Sequence, residues 1–140
     1  VFYSFTCDQG SLSGVEVARL LELDEDRVFK TLVTAGRSGE HFVFMVPVAC
    51  ELNLKKAAEA VDEKSIALVK ARELLPLTGY VHGGCSPIGM KKPFTTAIDE
   101  TATLFDSIVF SGGRIGCQIE TPLDELKRIM PLRIADLTIV

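Results

Sequence analysis

Residues 83–92 read Gly-Gly-Cys-Ser-Pro-Ile-Gly-Met-Lys-Lys. Three glycines and a proline within seven positions exclude both a helix and an ordinary ladder strand. Paired glycines let a backbone approach a ligand closely, because no Cβ stands in the way. They also let successive N–H groups point the same way, making a small concavity for an anion or a carbonyl. Ser86 adds a hydroxyl, Pro87 stiffens the turn, and Lys91 and Lys92 put positive charge at its exit. The string is neither a phosphate-binding Gly-x-x-x-x-Gly-Lys-Ser/Thr loop nor a Gly-x-Gly-x-x-Gly fingerprint. Taken alone it is a tight glycine-rich connection, and a function for it depends on what converges there.

The rest of the chain predicts one α/β domain over residues 1–140. With 47% hydrophobic residues, 140 residues suffice to bury a core. No apolar run reaches membrane-spanning length, and no signal-peptide pattern opens the sequence. Cys7, Cys50, Cys85 and Cys117 are widely spaced with only two histidines, a pattern that predicts no metal site, no cofactor and a reduced, cytoplasmic setting. A net charge of −4 argues against gripping nucleic acid through general electrostatics.

In chain order, residues 1–6 predict a strand. Ser13 and Glu16 form a capping box for a helix running to about Leu23. Residues 28–35 predict a strand with Phe29, Thr31, Val33 and Ala35 on one face and Val28, Lys30, Leu32 and Thr34 on the other. Lys30 is either an edge-strand lysine or a cation pointing into a polar cavity. Residues 36–39 form a hairpin turn, and 41–48 a strand apolar enough to be buried on both faces. Asn53 caps a helix to Val61, on which Lys55 and Lys56 are solvated. A short strand at 66–69 precedes a short helix at 71–75, ended by Pro76. Residues 80–82 lead into the glycine loop as a strand, and 94–98 leave it as another. Residues 99–105 are a helical or turn segment, followed by a strand at 107–111. Residues 112–116 form a second glycine-rich turn and 117–120 a returning strand. Thr121 caps a helix with Pro122 in its first turn, and 134–140 close the chain as a strand. Strands and short helices alternating in this way predict a mixed, strongly curved, barrel-like sheet with flanking helices.

Three of these stretches together resemble the YbaK/EbsC family of aminoacyl-tRNA deacylases, which clear mischarged tRNA in trans. Residues 28–32 (Val-Phe-Lys-Thr-Leu) are similar to that family's strand motif, and residues 83–89 to its Gly-Gly-x-Ser-Pro-x-Gly loop. Residues 111–116 (Ser-Gly-Gly-Arg-Ile-Gly) resemble its serine–glycine–basic turn. The resemblance covers nearly the whole chain, in order, and its nearest branch is the Cys-tRNA(Pro) deacylases.

That resemblance implies a mixed sheet with flanking helices around one pocket. Lys30 would be the functional lysine, with Gly83 and Gly84 offering backbone N–H groups to the ester carbonyl. Phe29, Thr31, Ser86, Pro87, Gly89, Ser111, Gly112, Gly113, Arg114 and Gln118 would contact the substrate. It also implies catalysis without a protein nucleophile, the substrate's own thiol attacking its ester, and a partnership with prolyl-tRNA synthetase that supplies affinity for tRNA. Cys85 is expected to be structural. Gln118 stands where close relatives often carry an acid, which leaves another small amino acid, such as alanine on tRNA(Pro), as a second substrate. A non-catalytic module binding a nucleotide or an RNA 3′ end is the reading from a different class.

Overall fold

The capping box forms: Ser13 Oγ accepts from Glu16 N at 3.2 Å, and Glu16 Oε1 accepts from Ser13 N at 3.1 Å. It opens helix α1 (Gly14–Leu20), which stops three residues earlier than predicted. The structure is a computed structural model describing residues 1–4 and 13–139. Phe5, Thr6 and Cys7 therefore lie outside the described residues.

The strands form two open sheets instead of one barrel-like one. A three-stranded antiparallel sheet has the order β1 (Phe2–Ser4), β7 (Cys117–Thr121), β6 (Ile108–Ser111). A five-stranded mixed sheet has the order β4 (Ile66–Leu68), β2 (Phe29–Gly36), β3 (His41–Pro47), β5 (Thr95–Asp99), β8 (Arg133–Ala135). β2 runs antiparallel to both β4 and β3, whereas β3, β5 and β8 run parallel. Where the two sheets approach, Val28 forms a parallel bridge with Val109, so the chain is folded over between them instead of curling continuously.

The apolar run of β3 is buried on both faces, as its sequence predicts. Phe44 and Val46 pack with Ala57, Ala58 and Val61 at helix α2 (Leu54–Ala60), which Asn53 Oδ1 caps by accepting from Lys55 N and Lys56 N. Met45, on the opposite face, joins Phe29, Ile98, Ile108, Phe110 and Leu126, the last from helix α4 (Leu123–Ile129). Fully burying side chains of this size contributes about 1.5–3 kcal/mol each.

Several local expectations are corrected. Helix α3 (Ala71–Thr78) runs through Pro76 and ends at Gly79, whose φ of 86° supplies the left-handed stop. Pro76 is exposed, so the carbonyl it leaves unpaired can be met by water. Residues 80–82 form no strand: Tyr80 N donates to Thr78 Oγ1 and the Tyr80 hydroxyl donates to the Ile88 carbonyl, which ties the segment back onto the glycine loop. Thr121 ends β7 and Pro122 itself occupies the cap of α4, its carbonyl accepting from Leu126 N. Lys56 is not simply solvated, since its Nζ lies 2.9 Å from both Asp136 Oδ2 and the Thr138 carbonyl. The closing strand is only three residues long, followed by an isolated bridge from Thr138 to Leu52.

Candidate active-site cleft

Strand β2 has one side paired along its length and the other left partly open. In its ladder with β3, the bonds Val48 N to Val28 O and Gly36 N to Glu40 O give the even-numbered residues the β3 side. The odd-numbered residues then direct their backbone groups the other way. There Ala35 pairs with Ala67 of β4 and Val33 O accepts from Val69 N, but β4 does not reach Thr31. Between that pairing and the Val28–Val109 bridge, the N–H and C=O of Thr31 face a cleft of about 390 Å³.

The cleft gathers residues from all three motif stretches. From β2 come Phe29, Lys30 and Thr31, from the glycine loop Gly83, and from the other sheet Ser111 and Gln118. Lys30 and Thr31 border it from opposite faces of the strand, as successive strand positions must. Gln118 is 9% exposed on β7, while the Thr31 Oγ1 is buried without a hydrogen-bond partner among the described residues. A buried hydroxyl in that state costs about 1–3 kcal/mol. Lys30 keeps 28% of its side-chain surface exposed, and its Nζ lies 3.9 Å from Glu51 Oε1.

The remaining predicted residues stand behind or beside this lining. Gly84 is buried against the second glycine turn, where a Cβ would meet Arg114 Cα and Ile115 N at 3.2 Å. Gly112 has no room for a side chain either, since a Cβ would lie 2.6 Å from Cys117 Sγ. Gly113 has a φ of 106° and donates its N–H to Ser111 Oγ at 3.3 Å. The two glycine turns thus pack against each other, and that contact sets where Gly83 and Ser111 lie. Ser86 is buried, and its Oγ accepts from Ile88 N at 3.3 Å. Pro87 and Gly89 line a separate cleft of about 470 Å³ with Met90, Lys92 and Met130. Arg114 is exposed on the second turn.

Glu120 stands two residues further along β7 from Gln118 and so on the same face. The Glu120 carboxylate accepts from Arg27 Nη1 at 2.8 Å, from Ser107 Oγ at 2.5 Å and from the Tyr3 hydroxyl. The hydroxyl bonds of Ser107 and Tyr3, with Arg27 adding its charge, hold the Glu120 carboxyl down at about 2. This strut ties β7 to β1, β6 and the turn before β2. Nothing in the sequence marked it, because its four residues are scattered and meet only in the fold.

Sequence reasoning also passed over His82, Leu74 and the start of α1, where Ser13, Gly14 and Val17 border the cleft. Cys85 borders it too, 7% exposed, and burial pushes its thiol up, with a hydrogen bond from Thr78 opposing in part. It has the character of a packed, protonated thiol.

The family described as the aminoacyl-tRNA editing domain matches residues 10–129, and the chain belongs to it. In class it is an aminoacyl-tRNA deacylase. Among individual proteins it is similar to one from Enterococcus faecalis, provisionally named the Cys-tRNA(Pro)/Cys-tRNA(Cys) deacylase EbsC. The two are 38% identical over 136 residues, spanning 97% of this chain and 83% of that one. A proline–tRNA ligase of Pelobacter propionicus is 31% identical over 84 residues, 60% of this chain and 15% of the ligase. The crystal structure of a protein provisionally described as a trans-editing enzyme for prolyl-tRNA synthetase superposes with a TM-score of 0.88. It is 23% identical, over 99% of this chain and 86% of that one, a likeness of fold. No described helix is long and apolar enough to cross a membrane.

Proposed function

We propose that this deacylase clears cysteine from Cys-tRNA(Pro), with the substrate's own thiol as nucleophile. The observation that carries this reading is the character of the cleft's polar groups. Lys30 and backbone amides suit positioning and charge stabilisation, whereas the lining thiol, Cys85, is one that burial holds protonated. Ser111 and Ser86 each accept a hydrogen bond from a loop amide, with no histidine bonded to either hydroxyl among the described residues.

In the step proposed, the cysteinyl sulfur attacks the ester carbonyl carbon and a C–S bond forms. The C–O bond to the ribose breaks, and the thiol proton ends on the ribose hydroxyl. The products are a cyclic thiolactone and uncharged tRNA. The Gly83 backbone N–H polarises the carbonyl as it gains negative charge, a contribution on the order of 3 kcal/mol per donor, whereas the Gly84 N–H is taken by the Val81 carbonyl at 2.9 Å and Gly84 serves to seat the loop. Lys30 holds a phosphate or ribose oxygen of the terminal nucleotide as a compact cation. Apolar lining residues such as Val17, Val28 and Leu74 hold thiol and ester in attacking distance, which supplies much of the acceleration in an intramolecular reaction.

A net charge of −4 gives the domain little general attraction for tRNA, and a complex with prolyl-tRNA synthetase would supply it. The similarity of residues to a proline–tRNA ligase supports that partnership. Gln118 favours a second reading in which alanine on tRNA(Pro) is the substrate, since an uncharged amide leaves amino-acid choice to shape. Deacylation of Cys-tRNA(Pro) and Ala-tRNA(Pro), measured side by side, tests the proposal. Loss of the cysteinyl ester alone is expected, and faster loss of the alanyl ester would replace it with the second reading.

A further inference from the structure

An aminoacyl ester carries an α-amino group beside its carbonyl, and that amine must sit inside any cleft that polarises the carbonyl. The lining of this cleft has the wrong charge for an ammonium. Among the described residues Lys30 is its one full charge, and the titratable groups that join it are His82 and Cys85, both on the glycine loop. A protonated His82 would add to the positive potential, and Cys85 is held as the neutral thiol. Glu51 stands beyond Lys30, paired with it and 82% exposed in solvent. No carboxylate belongs to the described lining.

The groups that do offer hydrogen bonds are neutral. The buried Thr31 Oγ1 has no partner among the described residues, and the side chain of Gln118 makes no hydrogen bond with another described residue, although only 9% of it is exposed. Both can accept from an N–H and donate to an acyl oxygen. A lone ammonium taken from water into such a site loses its hydration without gaining a counter-charge, whereas a neutral amine or amide can bond to both groups at far lower cost.

We infer that this cleft selects aminoacyl esters whose α-nitrogen is uncharged. These are the deprotonated amine and N-acylated aminoacyl esters, with Thr31 and Gln118 as the residues that read the nitrogen. The inference rests on the deacylase reading and narrows its substrate class. A free α-amino group titrates at about 7.7–8.0, and the neighbouring acyl substituent lowers that value, so the uncharged form is abundant near neutral pH.

The test uses binding, so that it does not depend on turnover. The probes are adenosine carrying S-methylcysteine, which has no titrating thiol, through a non-hydrolysable 3′-amide, and the same molecule N-acetylated, each titrated at pH 6 and pH 8.5. The free-amine probe is expected to bind about tenfold more tightly at pH 8.5. The N-acetyl probe is expected to bind equally at both, at least as tightly as the free amine at pH 6. In Gln118→Glu the preference should reverse at pH 6, the free-amine probe gaining and the N-acetyl probe losing. Because each result is a ratio within one protein, partial misfolding of a variant cancels. The wild-type pH effect should persist in His82→Gln, which removes the histidine's own titration. It should persist equally in Asp8→Asn, which removes the one carboxylate within residues 5–12. Tighter binding of the protonated amine by wild type, rejection of the N-acetyl probe, or loss of the pH effect in either control would overturn the inference. Hydrolysis of the matching esters is scored separately: its absence, with the binding pattern intact, would count against the deacylase reading alone.

Discussion

Val28 bridges Val109 in parallel, linking the two sheets beside the cleft that Val28 helps to line. Both residues are almost fully buried, with Ala18 of α1 and Val48 packed beside them. The residues immediately after Val28 are Phe29, Lys30 and Thr31, so the bridge fixes where the open edge of β2 begins. On that side β2 is paired at both ends and left free between.

Lys30→Ala should lower kcat/KM for deacylation by about tenfold to a hundredfold, the range of a charge-assisted hydrogen bond of about 1.5–3 kcal/mol. Thermal stability should stay nearly unchanged, because the ammonium is partly exposed and its ion partner is an exposed glutamate. Single-turnover rates beside a melting curve separate the two effects.

Cys85→Ala should retain most activity, and Cys85 in the native protein should react slowly with iodoacetamide at about pH 7.5, since burial favours the neutral thiol. A loss of deacylation as large as that of Lys30→Ala would make Cys85 a participant.

Gly84→Ala should damage the cleft without touching its lining. The new Cβ would press on backbone atoms of Arg114 and Ile115, which cannot rotate away as a side chain can. The two glycine turns must then part by a few tenths of an ångström. About 1–3 kcal/mol of stability should be lost, and kcat should fall more than the melting shift explains.

Glu120 gives the fold an acid-sensitive strut. Its carboxyl titrates at about 2 in the folded protein against an ordinary 4.5. The stabilisation this represents is fully present above about pH 4.5, where the unfolded chain is also ionised, and it is lost as pH falls through about 2. On the order of 2–3 kcal/mol is at stake. Denaturant melts from about pH 6 down to about pH 2 should show that slope in the wild type and a shallower one in Glu120→Gln.

Much of this was legible beforehand because local chemistry decided it. The Ser13–Glu16 capping box, the Asn53 cap and the doubly buried β3 each arise from residue types at fixed spacing. Lys30, mid-strand among apolar neighbours, and the three motif stretches pointed to residues that do share a cleft. Division of the strands into two sheets was not legible, because one bridge at Val28 and the packing on either side of β3 decide it. The helix across Pro76 defied its local rule because the proline is exposed and Leu74 is buried against Val33 and Val43. Ser86, Pro87 and Gly89 belong to the same loop as Gly83 but are not among the residues that line the cleft. Sequence order cannot reveal which side of a loop a residue faces.

The decisive measurement is the rate of loss of the cysteinyl ester from Cys-tRNA(Pro), with wild type and Lys30→Ala compared against Ala-tRNA(Pro) as the control. The account predicts rapid loss from Cys-tRNA(Pro) by the wild type, at least tenfold slower loss by Lys30→Ala, and little loss from Ala-tRNA(Pro). Equal rates for the wild type and the lysine variant, or an alanyl ester cleaved as fast as the cysteinyl one, would contradict it.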